Sequence, residues 1–176
     1  ESLLNPQTLL QLLESFALFS TVKTGKNTPP KRVKILPRYP QFEAAKQIVE
    51  RVRRGYPKKG LIWHFQGSGK SWLMVFAAQK LRLQNELHAP TVVIVDDRID
   101  LEDQITGDFT RADIPNIESA KTKDELVAFF KQDQRKILIT TIFKFGDVDS
   151  VLNERDNIIL LVDEAHRTQE KDLGQK

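Results

Sequence analysis

Residues 61–71 read LIWHFQGSGKS, a short apolar run that leads into a glycine-containing loop ending in Gly-Lys-Ser. The apolar run predicts a buried strand over residues 60–64, and the pattern that follows predicts a helix over about residues 70–83. A strand, a glycine-containing loop and a helix in this order are typical of a segment that binds phosphate. The stretch therefore predicts an α/β fold with a nucleotide site at this loop.

Each residue type in the loop has a predicted task in binding a nucleotide. Gly67 and Gly69 can adopt positive φ angles that other residues avoid, so the loop amides can turn toward phosphate oxygens. Lys70 is expected to reach the β- and γ-phosphates, and the Ser71 hydroxyl is expected to ligate Mg²⁺. A chance Gly-x-Gly-Lys-Ser in a surface turn is the alternative, which the flanking patterns disfavour. The predicted nucleotide-contacting residues of the loop are Gln66, Gly67, Ser68, Gly69, Lys70 and Ser71.

A second motif, at residues 158–166, is an apolar run that ends in Asp-Glu-Ala-His. An acidic residue at the carboxyl end of a parallel strand faces the crevice where α/β sheets bind ligands. Asp163 is therefore expected to hold Mg²⁺, and Glu164 to act as the general base toward the attacking water. A strand followed by a solvated acidic turn is the alternative. Together with the phosphate loop, the motif predicts ATP hydrolysis with ATP and Mg²⁺ as cofactors.

Apolar runs and helical patterns alternate along most of the chain. Nearly continuous apolar runs predict strands buried on both faces, at residues 60–64, 91–95, 136–141 and 158–162. Apolar residues at helical spacing predict helices at about residues 41–54, 70–83, 101–109 and 123–131, the last of them introduced by a capping box. Such alternation predicts a three-layer α/β domain of the P-loop NTPase type, with a central, mostly parallel sheet.

The first 38 residues differ from the rest of the chain. Asn5-Pro6 predicts a helix start, and apolar residues then recur at helical spacing as far as Phe19. Residues 21–38 are polar and basic and predict a linker. Its cations are either solvated, the commoner case, or form a strip that binds phosphate. We expect an N-terminal helical extension with its linker at residues 1–38 and one nucleotide-binding domain, truncated after the second motif, at residues 39–176.

Most aromatic side chains are expected to be structural. Trp63 and Trp72 flank the loop and are predicted to pack beside it, whereas His64 either packs at the strand end or touches the nucleotide. The phenylalanines at helical spacing are predicted to lie in the core rather than to stack on bases; they are Phe16, Phe19, Phe129 and Phe130.

Composition narrows the class of protein. The 176 residues are 40% hydrophobic and 29% charged, which is typical of a soluble globular protein. No run of about 18 apolar residues occurs, so no membrane span is expected. The absence of cysteine excludes disulfides and thiolate metal sites and fits a cytoplasmic location. A net charge of +3 permits a nucleic-acid partner without requiring one. The chain begins without Met and ends in a polar run, which suggests that it is part of something longer.

Five short motifs, in order, resemble the motor (R) subunit of type I restriction endonucleases, which belongs to the superfamily 2 helicases and translocases. Residues 38–42 (RYPQF) resemble the family's adenine-side motif, and residues 95–104 (VDDRIDLEDQ) resemble its DNA-side motif. Residues 139–145 (ITTIFKF) are similar to the motif after the fourth strand, although Phe143 stands where glutamine is common. His64 at the first loop position, unusual in phosphate loops generally, is typical of this family.

The resemblance implies the first RecA-like lobe of a motor that uses ATP to translocate double-stranded DNA before cleavage. The implied partners are DNA, the methylation and specificity subunits, and a nuclease domain and second RecA-like lobe beyond these residues. Arg38 and Gln41 would contact the adenine, unless Gln41 only caps its helix or lies on its surface. His166 would couple nucleotide state to the second lobe. The implied DNA-side residues, some of which could instead be structural, are Asp97, Arg98, Gln104, Thr140 and Thr141.

Two other functions stay open at this point. Another kind of superfamily 2 helicase, acting on DNA or RNA, would separate strands instead of moving along a duplex. A nucleotide-gated binding module would bind ATP without turnover, and Glu164 argues against it because a gate needs no water-activating carboxylate. We also expect these 176 residues alone to bind ATP·Mg²⁺ weakly and to hydrolyse it negligibly, since an arginine from the second lobe normally stabilises the transferring phosphoryl group.

Overall fold

The computed structural model describes residues 5–22, 29–65, 67–97, 106–107, 109–110, 112, 114–146 and 151–163. The chain divides into two compact units. The first consists of residues 1–86 with 108–115, and the second of residues 87–107 with 116–176. The glycine loop belongs to the first unit and the parallel strands belong to the second.

Three α-helices dominate the first unit. Helix α1 (Pro6–Gln11) begins as predicted, since the Asn5 side chain accepts a hydrogen bond from the Gln7 amide at 2.9 Å. A π-helical turn (Leu12–Phe16) extends it. Helix α2 (Tyr39–Arg54) and helix α3 (Lys70–Arg82) lie close to the predicted ranges. The prediction that the helical pattern continues as far as Phe19 was wrong, because strand β1 begins at Leu18.

A β-hairpin replaces part of the predicted linker. Strand β1 (Leu18–Val22) pairs antiparallel with strand β2 (Lys31–Ile35). Val33 and Ile35 are partly buried while Lys34 between them is exposed, so the end of the strand has the alternation of a half-buried strand. The prediction of a linker over residues 21–38 was wrong for these strands, because the many cations concealed that alternation.

Phe19 is a second correction. Its side chain is 42% exposed on the outer face of the hairpin, not in the core. The Arg32 guanidinium lies 4.6 Å from the centre of the Phe19 ring, so the ring is covered by a cation. Phe16, Phe129 and Phe130 are buried as predicted.

An aromatic cluster holds the helices of the first unit together. Phe16, Phe42 and Phe76 are almost fully buried. The Phe16 ring contacts the Phe42 ring edge-on, with 4.9 Å between centroids, and lies 6.1 Å from the Phe76 ring. Edge-on aromatic pairs add about 0.5–1.5 kcal/mol beyond their area burial. Since Phe42 is on α2 and Phe76 is on α3, the cluster links these two helices through Phe16.

The second unit contains a four-stranded sheet in the order β4-β5-β3-β6, parallel throughout. Its strands are β3 (Thr91–Asp96), β4 (Ile117–Ser119), β5 (Ile137–Thr141) and β6 (Ile158–Val162). Helix α4 (Lys123–Lys131) has the predicted bounds and is capped by Thr122, which accepts from the Glu125 amide at 3.2 Å. The predicted parallel α/β fold is thereby confirmed.

The core of the second unit lies between α4 and the sheet. Leu126 and Phe129 on α4 pack with Val93 and Val95 on β3 and with Leu138 on β5. Strands β3 and β5 are buried along their whole length, as their apolar runs predict. None of the described helices is long and apolar enough to cross a membrane.

Two strand predictions were wrong. Residues 60–64 form neither helix nor strand, and Trp63 is 88% exposed instead of packed beside the loop. Strand β6 forms as predicted but is not buried on both faces, since Leu160 is 56% and Val162 43% exposed. Apolar composition predicts burial, whereas a strand also needs a hydrogen-bonded neighbour, which local sequence does not specify. The helix predicted at residues 101–109 lies mostly outside the described residues.

Candidate nucleotide-binding site

The glycine loop has the backbone conformation expected of a phosphate cradle. Gly67 and Gly69 have φ angles of +77° and +83°, in the left-handed region. Gly69 is the N-cap residue of α3, which therefore begins at Lys70. The first turn of a helix has amides without intrahelical partners, and the helix dipole favours an anion there. Lys70 and Ser71, both partly buried, stand at this helix terminus as the sequence predicts.

Gln41 joins the start of α2 to this loop. Its Nε2 donates hydrogen bonds to the carbonyl oxygens of Ser68 at 3.2 Å and Gly69 at 3.0 Å. Its Oε1 accepts a hydrogen bond from the Arg38 backbone amide at 2.8 Å. The Gln41 side chain is buried, with 5% of its surface exposed. The structure thus brings the residues predicted for the adenine side together with the phosphate loop.

A cavity of about 190 Å³ lies beside the loop. Its polar lining comes from Arg38 and Gln41 and its floor includes both loop glycines; the apolar walls are formed by Ile35, Leu36, Trp72 and Phe76. Apolar walls with a few polar groups are typical of small-molecule sites. The four apolar residues were missed as site residues in the sequence. Only Trp72 could have been predicted as a site residue from the sequence, because it directly follows Ser71 of the phosphate loop.

The loop and its cavity fit a nucleotide phosphate. Ser68 is only 6% exposed, yet its Oγ has no hydrogen-bond partner among the described residues. Buried polar groups in proteins are normally satisfied, so this hydroxyl is suited to a ligand oxygen. Around Gly67, a Cβ would meet nothing within 4 Å, which leaves room for a ligand close to the backbone.

The two loop glycines should respond differently to alanine. Both replacements place a side chain at positive φ, which costs about 1–2 kcal/mol of unfolding free energy. Only at Gly69 would the new Cβ also overlap the Nε2 of Gln41. We therefore expect Gly69→Ala to lower the urea-unfolding free energy clearly more than Gly67→Ala does. Equal losses in the two variants would contradict the contact between Gln41 and Gly69.

Several residues predicted to bind Mg²⁺ or DNA lie at the carboxyl ends of the parallel strands. Asp96 ends β3 and is paired in register with Thr141 at the end of β5. Asp163 directly follows β6, and its amide donates to the Val95 carbonyl at 2.9 Å. Asp96, 1% exposed, was not predicted as a site residue, although its place at a strand end is the signal used for Asp163.

The remaining predicted residues are divided between this edge and the undescribed parts of the chain. Asp97 follows β3, and Thr140 is fully buried near the end of β5 with its Oγ1 lacking a hydrogen-bond partner within the described ranges. Several predictions lie outside the described residues and keep the status of predictions: Gln66, Arg98, Gln104, Glu164 and His166. Ser71 and Asp163 offer the hard oxygen donors that Mg²⁺ prefers, each within its own unit.

Most of the chain matches a known protein family. Residues 40–176 match the family model of the SWI2/SNF2 ATPase. The chain is 35% identical to the type I restriction enzyme HindI endonuclease subunit of Haemophilus influenzae over 95% of its length. It is 32% identical to a putative type I restriction enzyme endonuclease subunit, MjaIXP, of Methanocaldococcus jannaschii, again over 95% of its length.

The chain spans 17% and 16% of the lengths of these two relatives. It also covers 70% of a shorter relative, a C-terminal part of a putative type I restriction enzyme endonuclease subunit of Mycoplasma pneumoniae, at 29% identity. The resemblance to type I restriction endonuclease subunits that the motifs indicated is confirmed, and so is the RecA-like α/β class. With its phosphate loop, parallel sheet and family match over residues 40–176, the chain belongs to the SWI2/SNF2 ATPase family.

Proposed function

We propose that this chain is the ATP-binding and ATP-hydrolysing lobe of a type I restriction endonuclease motor subunit. In this proposal, ATP turnover drives translocation along double-stranded DNA before the DNA is cut. The observation that carries it is the loop at residues 67–71, with two left-handed glycines, a helix beginning at Lys70 and an adjoining cavity. The ATPase family and the names of the relatives support it.

The residues of the first unit would bind the nucleotide. The amides of the loop and of the first turn of α3 would donate to phosphate oxygens, and the Lys70 ammonium would neutralise the terminal phosphates. The base would lie in the cavity beside Arg38 and Gln41. Gln66, although outside the described residues, would contribute its amide to the same loop.

The two remaining proposed roles are metal binding and general base catalysis. Ser71 and Asp163 would hold Mg²⁺, which when bound offsets negative charge on the phosphates. Glu164, the next residue, would orient a water molecule and accept its proton. ATP hydrolysis needs a group that accepts the proton of the attacking water. A carboxylate at the end of a parallel strand is well placed for this, because it faces the ligand-binding crevice.

The DNA side of the site would be formed by the second unit. Arg98 carries a positive charge suited to a phosphate of the DNA backbone. The other proposed contacts are Asp97, Thr140 and Thr141, which belong to or follow β3 and β5, and Gln104, which lies outside the described residues. DNA, the methylation and specificity subunits, a nuclease domain and a second motor lobe are the proposed partners, in the cytoplasm.

Translocation and unwinding can be separated by experiment. With the intact protein in its restriction complex, we expect ATP-dependent displacement of a third strand from a triplex downstream of the recognition site. No strand should be displaced from a plain duplex, since a translocase of this kind moves along double-stranded DNA without opening it. The Lys70→Ala variant serves as the control without turnover. Strand displacement from the duplex would instead indicate a helicase of another kind, and triplex displacement without ATP would contradict the motor function.

A further inference from the structure

We propose that the outer face of the β1–β2 hairpin binds the sugar-phosphate backbone of double-stranded DNA. This surface, the hairpin face, consists of Phe19, Thr21, Arg32 and Lys34. The inference rests on the proposed function, since the duplex would be the DNA on which the motor acts. It adds a contact in the first unit to the DNA-side residues that the sequence motifs imply in the second unit.

Strand pairing places the four side chains on one side of the hairpin. Phe19 is the register partner of Lys34, and Thr21 is the register partner of Arg32. Directly opposite residues of an antiparallel pair project to the same face, and so do residues two apart in a strand. All four side chains are exposed, whereas Ser20, which lies between Phe19 and Thr21, is only 2% exposed. The hairpin therefore turns one face to the protein and the hairpin face to solvent.

The positive charge of the hairpin face is not neutralised by described residues of the protein. Neither Arg32 nor Lys34 forms an ion pair with an acidic residue in the described part of the chain. An exposed arginine of α2 differs, since Arg53 is paired with Glu86 at 2.5 Å. Residues 15–42 contain six lysine or arginine residues and no aspartate or glutamate. Such a face is suited to DNA, because cations that contact its phosphates release condensed counterions.

The Phe19 ring holds Arg32 in place on this face. The Arg32 guanidinium lies 4.6 Å from the ring centre, which is typical of a cation–π contact. A guanidinium that is ordered before binding loses less entropy when it forms a bidentate pair with a phosphate. The Thr21 hydroxyl on the same face is a further donor of a kind that contacts DNA phosphates. The hairpin face thus combines two cations and a hydroxyl, and all three can donate to phosphate oxygens.

The contact between Arg32 and Phe19 also favours a duplex over a single strand. Proteins that bind single strands stack unpaired bases on aromatic rings. Phe19 is the only aromatic residue of β1 and β2, and the Arg32 guanidinium lies over its ring. The hairpin face therefore offers its donors to the backbone and little ring surface to a base. In a duplex the bases are already stacked on each other, so a backbone contact is sufficient.

Strand β2 connects the hairpin face to the nucleotide cavity. Ile35, the last residue of β2, and Leu36, which follows it, line the cavity beside the phosphate loop. Arg32 and Lys34 belong to the same strand, within the same unit. A duplex on the hairpin face would therefore be bound by a strand that also forms part of the nucleotide site.

The salt dependence of DNA binding tests the proposal. In the intact protein, Arg32→Gln combined with Lys34→Gln removes both charges and keeps long polar side chains on an exposed face. Fluorescence anisotropy of a labelled duplex is measured without nucleotide, between about 50 and 200 mM salt. We expect the slope of log K against log salt to decrease in magnitude by about 1.8, as for two lost phosphate contacts. The Kd near 0.1 M salt should rise at least about tenfold.

Two control variants separate this contact from a general loss of charge. Lys58→Gln combined with Lys59→Gln removes the same charge from the exposed coil after α2 and should leave the slope unchanged. Arg32→Lys combined with Lys34→Arg keeps both charges and should retain most of the wild-type slope. An unchanged slope in the Arg32→Gln and Lys34→Gln double variant would overturn the proposal. An equal decrease in the Lys58 and Lys59 variant would overturn it as well.

Two further ligands identify other occupants of the hairpin face. A single strand of the same length should bind more weakly than the duplex, and a defect of the Arg32→Gln and Lys34→Gln variant confined to single strands would overturn the proposal. A defect confined to labelled polyglutamate would assign the face to an acidic protein and would also overturn it. ATP turnover is measured in parallel. Wild-type protein with neither turnover nor DNA binding would refute the proposed function, whereas normal turnover with unaltered DNA binding in the variant would refute this inference alone.

Discussion

Replacing Lys70 with alanine in the intact protein is expected to lower ATP turnover by about 100- to 1000-fold, the usual effect of removing one preorganised charge from a transferring group. Lys70 is the first residue of α3 and directly follows the left-handed Gly69. Its ammonium is therefore attached at the point where the helix terminus and the loop amides favour phosphate. Steady-state phosphate release at saturating DNA measures this effect.

The control for Lys70→Ala is a lysine that carries the same charge away from the loop. Lys58 lies in the exposed coil after α2, so Lys58→Ala should leave turnover unchanged. Displacement of a fluorescent ATP analogue should reveal weaker binding in Lys70→Ala as well, because the lysine acts on the bound nucleotide as much as on the reaction. Turnover within a factor of about two of wild type would exclude Lys70 from the site.

Replacing Glu164 with glutamine should have a different signature, with nucleotide binding retained and turnover reduced by about 100- to 10,000-fold. Glutamine has nearly the shape of glutamate but cannot accept a proton from water. Glu164 directly follows Asp163 in the sequence and is separated from the phosphate loop by more than ninety residues of chain. Loss of the base should thus leave the phosphate-binding groups unaffected and trap unhydrolysed ATP on the protein.

Filter retention of radiolabelled ATP after removal of free nucleotide checks this expectation. The Glu164→Gln variant should retain ATP as ATP, whereas Lys70→Ala should retain none. An Asp124→Asn variant, which makes a similar change in the first turn of α4, should behave as wild type. Unchanged turnover in Glu164→Gln would mean that another group activates the water.

Helices were the part of the fold most open to prediction from sequence. Capping residues and helical spacing are local signals, so the bounds of α4 and the start of α3 at Lys70 could be read directly. The parallel direction of the strands followed from their alternation with helices, whereas their order in the sheet was not predicted. The hairpin of β1 and β2 was missed because its apolar residues alternate with lysine and arginine.

Strand pairing and burial depend on distant residues and were predicted less well. The apolar run at residues 60–64 and strand β6 look alike in sequence, but only β6 has a strand partner among the described residues. The positive φ angles of Gly67 and Gly69 could be predicted, because few residues other than glycine adopt them. The bonds from Gln41 to Ser68 and Gly69 could not, since they join residues far apart in the chain.

The edge position of β6 has a consequence for the physical behaviour of the protein. Among the described residues β6 pairs with β3 alone, and it exposes Leu160 and Val162. An outer strand with apolar side chains and no charged residue along its length is a template on which further extended chains can add. If this unit self-associates through β6, we expect the association to weaken on dilution. Screening of charges should have little effect on it, because residues 158–162 carry no charge.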